Sequence, residues 1–128
     1  MFRWLIVEDD FRFGETLAEA LMKHGYEVAI TRLGMDAVEC IDYNFDGAIV
    51  DFNLFDISGD EVIATIKKDY PKLTLGLITG EQEIDLEKLA TRCGANFYLR
   101  KPFTLSEILN IIEIYDELNI KQEVTNVA

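Results

Sequence analysis

The chain has 128 residues, 49% of them hydrophobic, so it is long enough for one domain with a buried core and too apolar for a disordered segment. Its 24 acidic residues against 12 Lys and Arg give a net charge of −12, which disfavours direct binding to nucleic acid or anionic membranes because their phosphates would be repelled. No apolar run approaches the roughly 20 residues of a membrane span, so a cytoplasmic location is expected.

Short apolar runs alternate along the chain with segments of helical period. The runs that predict strands are 4–7, 27–31, 47–50, 75–79 and 96–99. An amphipathic segment follows each run; the first is ended by Gly25, the third by Pro71 and the fourth by Gly94. The last predicted helix covers about residues 104–120. The pattern therefore predicts five strand–helix units.

The predicted strands are apolar throughout, which is typical of a parallel sheet covered by helices on both faces. We therefore predict an α/β protein of doubly wound (βα)5 architecture, a flavodoxin-like sandwich whose five parallel strands have the order 2-1-3-4-5. One domain is expected over residues 1–121, followed by a short C-terminal tail at 122–128.

Polar side chains stand directly after the predicted strands. Glu8 and Asp9 follow the first strand, and Asp51 follows the third. Thr79 ends the fourth strand, and Lys101 follows the fifth. The carboxyl ends of parallel strands lie at one edge of the sheet. With this strand order, the point at which the strand order reverses lies between the first and third strands. The three carboxylates are therefore expected to converge, with the hydroxyl and the ammonium beside them.

Three carboxylates in one crevice repel one another, and a single lysine is insufficient to neutralise them. Mg²⁺ prefers a few carboxylates with a carbonyl and waters, and a bound cation could also draw in a phosphoryl group. A simpler interpretation is that the acidic run only caps and charges the first helix. That interpretation is preferred for Asp10 alone, but not for the whole set.

Five stretches, in this order and spacing, resemble the receiver domain of two-component response regulators over residues 3 to about 118. They are LIVEDD (5–10), GAIVDFNL (47–54), SG (58–59), LITG (77–80) and YLRKPF (98–103). The resemblance implies a receiver domain at residues 1–121 that takes a phosphoryl group from a histidine kinase or phosphotransfer protein. It implies a signalling domain rather than an enzyme, one that catalyses only its own phosphorylation and dephosphorylation.

The resemblance also implies roles for individual residues. Asp51 would be the phosphoacceptor. Glu8 and Asp9 would hold Mg²⁺ together with Asp51 and the backbone carbonyl of Asn53.

Three further residues of the fourth and fifth strands have implied roles. Thr79 and Lys101 would bind the phosphoryl group, and Tyr98 would be the aromatic whose rotamer follows the threonine. The Lys101–Pro102 peptide bond is expected to be cis, a geometry that proline permits. Phosphorylation would change the surface of the fourth helix, fifth strand and fifth helix, which could bind a partner or form a homodimer.

The fifth predicted helix carries two apolar stripes. Leu105, Ile108, Leu109 and Ile112 are expected to face inward, and Ile111, Ile114 and Leu118 to form a second face. A second stripe on a surface helix favours a partner site, and a dimer there would be mainly apolar because the helix has no Lys or Arg before Lys121.

The chain departs from the family pattern at one loop position. Phe55 stands four residues after Asp51, where proline is frequent, so this loop is expected to be looser. Phe52 is expected to shield the site, and Glu81 occupies a position that tunes dephosphorylation in the family.

Other functions remain as alternatives. A haloacid-dehalogenase-type phosphatase would need a second aspartate where Asn53 stands, and a flavodoxin-like cofactor binder would need a Gly- and hydroxyl-rich loop instead of EDDFRFG. A degenerate receiver that only docks partners is disfavoured by the complete pocket. Both a stand-alone receiver and the front of a longer regulator are compatible with the sequence.

Overall fold

The computed structural model describes the backbone of residues 2–127 and the side chains of residues 2–120. Strands and helices alternate: β1 Arg3–Val7, α1 Phe11–Lys23, β2 Glu27–Thr31, α2 Gly34–Cys40, β3 Gly47–Asp51, α3 Gly59–Asp69, β4 Thr74–Thr79, α4 Leu86–Cys93, β5 Phe97–Arg100 and α5 Leu105–Val127. The strands pair in parallel in the order β2-β1-β3-β4-β5. The predicted doubly wound α/β fold is therefore confirmed.

Successive residues of the central strands face opposite sides of the sheet, and both sides are covered. Leu5 and Val7 of β1 belong to a core shared with α2, α3 and α4. Trp4 and Ile6 belong to a second core, which α1 and α5 complete. Because neither face meets water, these strands can be apolar along their whole length. Their polar neighbours are thereby left at the strand ends.

Two aspartates fix helix N-termini near the carboxyl edge of the sheet. Asp10 caps α1, as predicted, by accepting from the backbone N–H groups of Arg12 and Phe13 at 3.1 and 3.2 Å. The N-cap side chain of α2 makes no such bond, but the Asp56 carboxylate accepts from Gly34 N and Met35 N, both at 2.8 Å. The hydrogen bond from Met35 N has the largest effect and, together with that from Gly34 N, lowers the pKa of Asp56. The segment after β3 is thus anchored to α2.

The fifth helix differs from its prediction in three respects. It extends to Val127 instead of ending near residue 120, so the predicted tail continues the helix as far as the described residues reach. Leu105 is 38% exposed, whereas an inward position was expected. Ile111 packs against the core formed with α1 and is only partly exposed. Three of the four expected inward residues, Ile108, Leu109 and Ile112, are buried.

Within the part of the chain that the structure describes, no helix combines the length and apolar character needed to cross a bilayer.

Candidate functional site

The carboxylates predicted to converge do lie together at the carboxyl edge of the sheet. Glu8 follows β1 and is 1% exposed, Asp51 ends β3 and is 4% exposed, and Asp9 is partly exposed. Each contributes a carboxylate oxygen to a cluster in which these atoms lie within 4.8 Å of one another. The parallel register that aligns β1 with β3 brings these side chains together.

Lys101 reaches the same crevice from the end of β5. Its Nζ lies 2.7 Å from Glu8 Oε1 and 2.7 Å from Asp51 Oδ2, and it stacks 4.3 Å above the centre of the Phe13 ring. Its backbone N–H donates to the carbonyl of Thr79 at 2.7 Å, and the Lys101–Pro102 bond is cis, as expected. One ammonium therefore forms ion pairs with two nearly buried carboxylates.

The electrostatics of the crevice show that this ammonium does not balance the acidic groups. Burial, reinforced by Asp51, raises the pKa of Glu8 to about 7, although the hydrogen bond from Lys101 lowers it. Burial alone would lower the pKa of Lys101, but its hydrogen bonds to Asp51 and Glu8 outweigh burial and raise it. The lysine thus stays charged, while Glu8 binds a proton far more readily than an ordinary glutamate, which indicates that one ammonium does not fully compensate the acidic pair.

Backbone contacts orient the Asp51 side chain. Its Oδ1 accepts from the backbone N–H of Asn53 at 2.8 Å. At Gly59, the first residue of α3, an added Cβ would lie 2.1 Å from the Asp51 carbonyl oxygen, so glycine permits the close approach of helix and strand. The SG pair at 58–59 is therefore part of the structure that positions Asp51.

The side chain of Thr79 is fully buried and engaged by its neighbours. Its hydroxyl donates to Asn53 Oδ1 at 3.2 Å and accepts from Glu81 N at 3.0 Å. Asn53 Nδ2 donates to Glu81 Oε1 at 3.1 Å. Asn53 was predicted only as a carbonyl ligand, but its amide also bridges the threonine and the glutamate.

Residues around this site adopt positions that sequence reasoning only partly anticipated. Tyr98 is 42% exposed on β5, so its ring lies at the surface. Phe52 packs against the core formed with α2, α3 and α4 instead of only covering the site, and Phe55 is strongly exposed. Arg100 was missed: its guanidinium donates to the carbonyl oxygens of Glu81 and Ile84.

The donor set in the crevice fits a hard divalent cation. It consists of carboxylate oxygens at the ends of the adjacent strands β1 and β3, and Mg²⁺ prefers such oxygens to nitrogen or sulfur. A cation there would offset the charge that Lys101 leaves uncompensated. Glu8, Asp9 and Asp51 could hold it through their side chains and Asn53 through its backbone carbonyl.

Comparison with known proteins supports one family along most of the chain. The sequence model of the family described as response regulator receiver domain matches residues 4–113. The cell cycle transcriptional regulator CtrA of Caulobacter vibrioides is 32% identical over 108 residues, which cover 84% of this chain and 47% of that protein. The chain thus spans about half the length of the curated relatives it matches.

Two solved structures of similar fold are matched over nearly their whole length. A receiver domain protein (CheY-like) from Methanospirillum hungatei superposes with a TM-score of 0.83 at 27% identity, over 94% of this chain and 98% of that one. The response regulator TrrA from Thermotoga maritima, in complex with Mg²⁺-BeF, gives 0.80 at 27% identity, over 90% and 99%. The fold, the family match and the order of the motifs agree, and the chain belongs to the receiver domain family of two-component response regulators.

Proposed function

We propose that this receiver acts in the cytoplasm as a phosphoacceptor, taking a phosphoryl group on Asp51 from the phosphohistidine of a histidine kinase or phosphotransfer protein. The observation that carries the proposal is the placement of Asp51. Its nearly buried carboxylate shares one crevice with Glu8 and Asp9 and lies 2.7 Å from Lys101 Nζ. Two further carboxylates beside a nucleophile would only hinder phosphorylation, unless a cation such as Mg²⁺ is part of the chemistry.

The residues of the site would each contribute one step. A carboxylate oxygen of Asp51 would form a bond to phosphorus as the bond from phosphorus to the donor imidazole nitrogen breaks. Lys101, already in the crevice, would donate to the phosphoryl oxygens. Thr79 would exchange its acceptor on Asn53 for a phosphoryl oxygen. Mg²⁺, when bound to Glu8, Asp9, Asp51 and the Asn53 carbonyl, would supply positive charge opposite these oxygens.

The reaction would be confined to the receiver's own phosphorylation and dephosphorylation. A phosphatase of the haloacid-dehalogenase type needs an acid–base carboxyl two residues after the nucleophile. Here that residue is Asn53, whose amide cannot exchange a proton in this way and is already bonded to Thr79 and Glu81. This arrangement favours a signalling role over turnover of other substrates.

Phosphorylation by a small-molecule donor tests the proposal. After incubation with acetyl phosphate and Mg²⁺, the intact mass should increase by one phosphoryl group, whereas EDTA or Asp51→Asn should abolish the increase. Asp56→Asn is the matched control, because Asp56 lies on the same segment but binds backbone amides of α2, and this variant should still be labelled. Undiminished labelling of Asp51→Asn would refute the assignment.

We also propose that phosphorylation promotes a homodimer through α4, β5 and α5. Ile114 and Leu118 are 56% and 47% exposed on α5, and Tyr98 is exposed on β5. A group of exposed aliphatic side chains on one helix is typical of a surface that binds another protein. Since α5 has no Lys or Arg before Lys121, we expect apolar contacts rather than ion pairs to dominate.

Sedimentation velocity in the presence of Mg²⁺ and beryllofluoride, a phosphoryl mimic, should show a dimer that persists at moderate salt, because screening weakens exposed ion pairs rather than apolar burial. Ile114→Glu combined with Leu118→Glu should leave a folded monomer. Met22→Glu combined with Met35→Glu changes exposed apolar residues on other helices and should not affect association. A protein that stays monomeric at high micromolar concentration, or whose dimer is lost at moderate salt, would contradict the proposal.

A further inference from the structure

Arg100, the last residue of β5, ties that strand to the segment between β4 and α4. The guanidinium Nη1 donates to the carbonyl of Glu81, and Nη2 donates to the carbonyl of Ile84 at 2.9 Å. A guanidinium is always charged and presents its donors in a fixed fork, so it can bind two backbone carbonyls at once. These contacts hold residues 80–85 at two points.

The same segment determines where the Thr79 hydroxyl points. The Glu81 backbone N–H donates to Thr79 Oγ1 at 3.0 Å, and the Glu81 carboxylate accepts from Asn53 Nδ2 at 3.1 Å. The hydroxyl has a single proton, which it donates to Asn53 Oδ1 at 3.2 Å. In this arrangement the proton is directed to Asn53 and not to Asp51.

A phosphoryl group on Asp51 would compete for that proton. If Thr79 rotates toward it, Oγ1 moves away from the Glu81 N–H, which would then lack its acceptor in a partly buried position. Leaving a partly shielded backbone donor without its partner costs free energy, so movement of the segment with the hydroxyl is favoured. Such a movement would require Arg100 to release at least one carbonyl.

We infer that Arg100 is a positioning residue that stabilises the unphosphorylated arrangement of residues 80–85 and thereby opposes phosphorylation. The inference rests on the proposed function of Asp51. It follows because an interaction made only in one of two conformations shifts the equilibrium toward that conformation. A ligand that needs the other conformation binds more weakly in proportion to the fraction of molecules that are competent.

The test compares Arg100→Ala and Arg100→Lys with the wild type. Amide hydrogen exchange of residues 80–85 in the free protein reports the tether directly, and ¹⁹F NMR titration with beryllofluoride and Mg²⁺ reports apparent affinity. Arg100→Ala should accelerate exchange and bind beryllofluoride about tenfold more tightly, the change expected when one charge-assisted hydrogen bond is lost. Arg100→Lys should be intermediate, since an ammonium lacks the fork needed for both carbonyls.

Arg92→Ala is the matched control, because it removes an exposed cation from the last turn of α4, the helix that follows the segment, and should change neither measurement. Faster exchange in Arg100→Ala with unchanged or weaker beryllofluoride binding would show a merely structural role and overturn the inference, as would unchanged exchange. Absence of beryllofluoride binding by the wild type would instead contradict the proposed function, and the inference would fall with it.

Discussion

Replacing Lys101 with methionine should lower the free energy of unfolding of the metal-free protein by about 3 kcal/mol, because removing one partner of a buried ion pair leaves uncompensated charge. Here two carboxylates, those of Glu8 and Asp51, would lose their shared partner at 2.7 Å. Methionine keeps an apolar stem beside the Phe13 ring, so the effect reports mainly the ammonium. Thermal unfolding in EDTA should show a melting temperature lower by roughly 10 °C.

A second substitution separates charge from packing. Combining Lys101→Met with Glu8→Gln should recover much of the loss, since only one carboxylate of the pair then remains in the crevice. Lys88→Met, on the exposed face of α4, is the control and should change stability little. Mg²⁺ should restore part of the stability of Lys101→Met by binding only the native state. A double variant as unstable as Lys101→Met alone would contradict the electrostatic explanation.

The fold could be predicted because its determinants are local or periodic. Apolar runs of strand length alternate with helical patterns, and Asp10 precedes the first of these helices in the position of an N-cap. Parallel strands then place every strand end at a common edge. For that reason the convergence of Glu8, Asp9 and Asp51 could be expected without any knowledge of the loops.

The side-chain contacts between loops could not be predicted in the same way. Asn53 and Glu81 are 28 residues apart, and the Asp56 carboxylate reaches the amides of Gly34 and Met35, 22 and 21 residues away. Such pairs depend on the conformation of loops after β3 and β4, which residue periodicity does not specify. Arg100 carried only a weak signal, a charged residue at the end of an apolar strand.

The fifth helix shows a different limit of pattern reading. Asp116 follows Ile112 by four residues and so continues the stripe of Ile108 and Ile112, which is buried against β1. A carboxylate on an apolar stripe is a signal that could have been noticed. The reason for the carboxylate lies in Trp4, 112 residues away, whose indole N–H donates to Asp116 Oδ2 at 3.2 Å.

The surroundings of the Asp116 side chain disfavour its charged form. It is 2% exposed, and within the described part of the chain its Oδ1 has no hydrogen-bond partner. Burial raises the pKa of Asp116 to about 6, with a further contribution from the negative charges of Asp46 and Glu113, while Tyr26 and Trp4 lower it in part. Between the ordinary value of 3.8 and about 6, the native protein therefore binds more protons than the unfolded chain. The stability contributed by the neutral carboxyl is present at low pH and is lost as the pH rises through this window.

Asp116→Asn should consequently stabilise the protein at pH 7.5 by about 2 kcal/mol, and the gain should shrink toward zero near pH 4, where the wild-type carboxyl is protonated. Asparagine keeps an oxygen that can accept from the Trp4 indole. Urea unfolding of both proteins across this range measures the difference, and Glu117→Gln, the exposed neighbour on α5, should show no such dependence. Since Trp4 is the only tryptophan, its emission should also titrate near pH 6 in the wild type and not in Asp116→Asn. An advantage of equal size at pH 4 and pH 7.5 would show that the substitution acts through packing, and not through the buried charge.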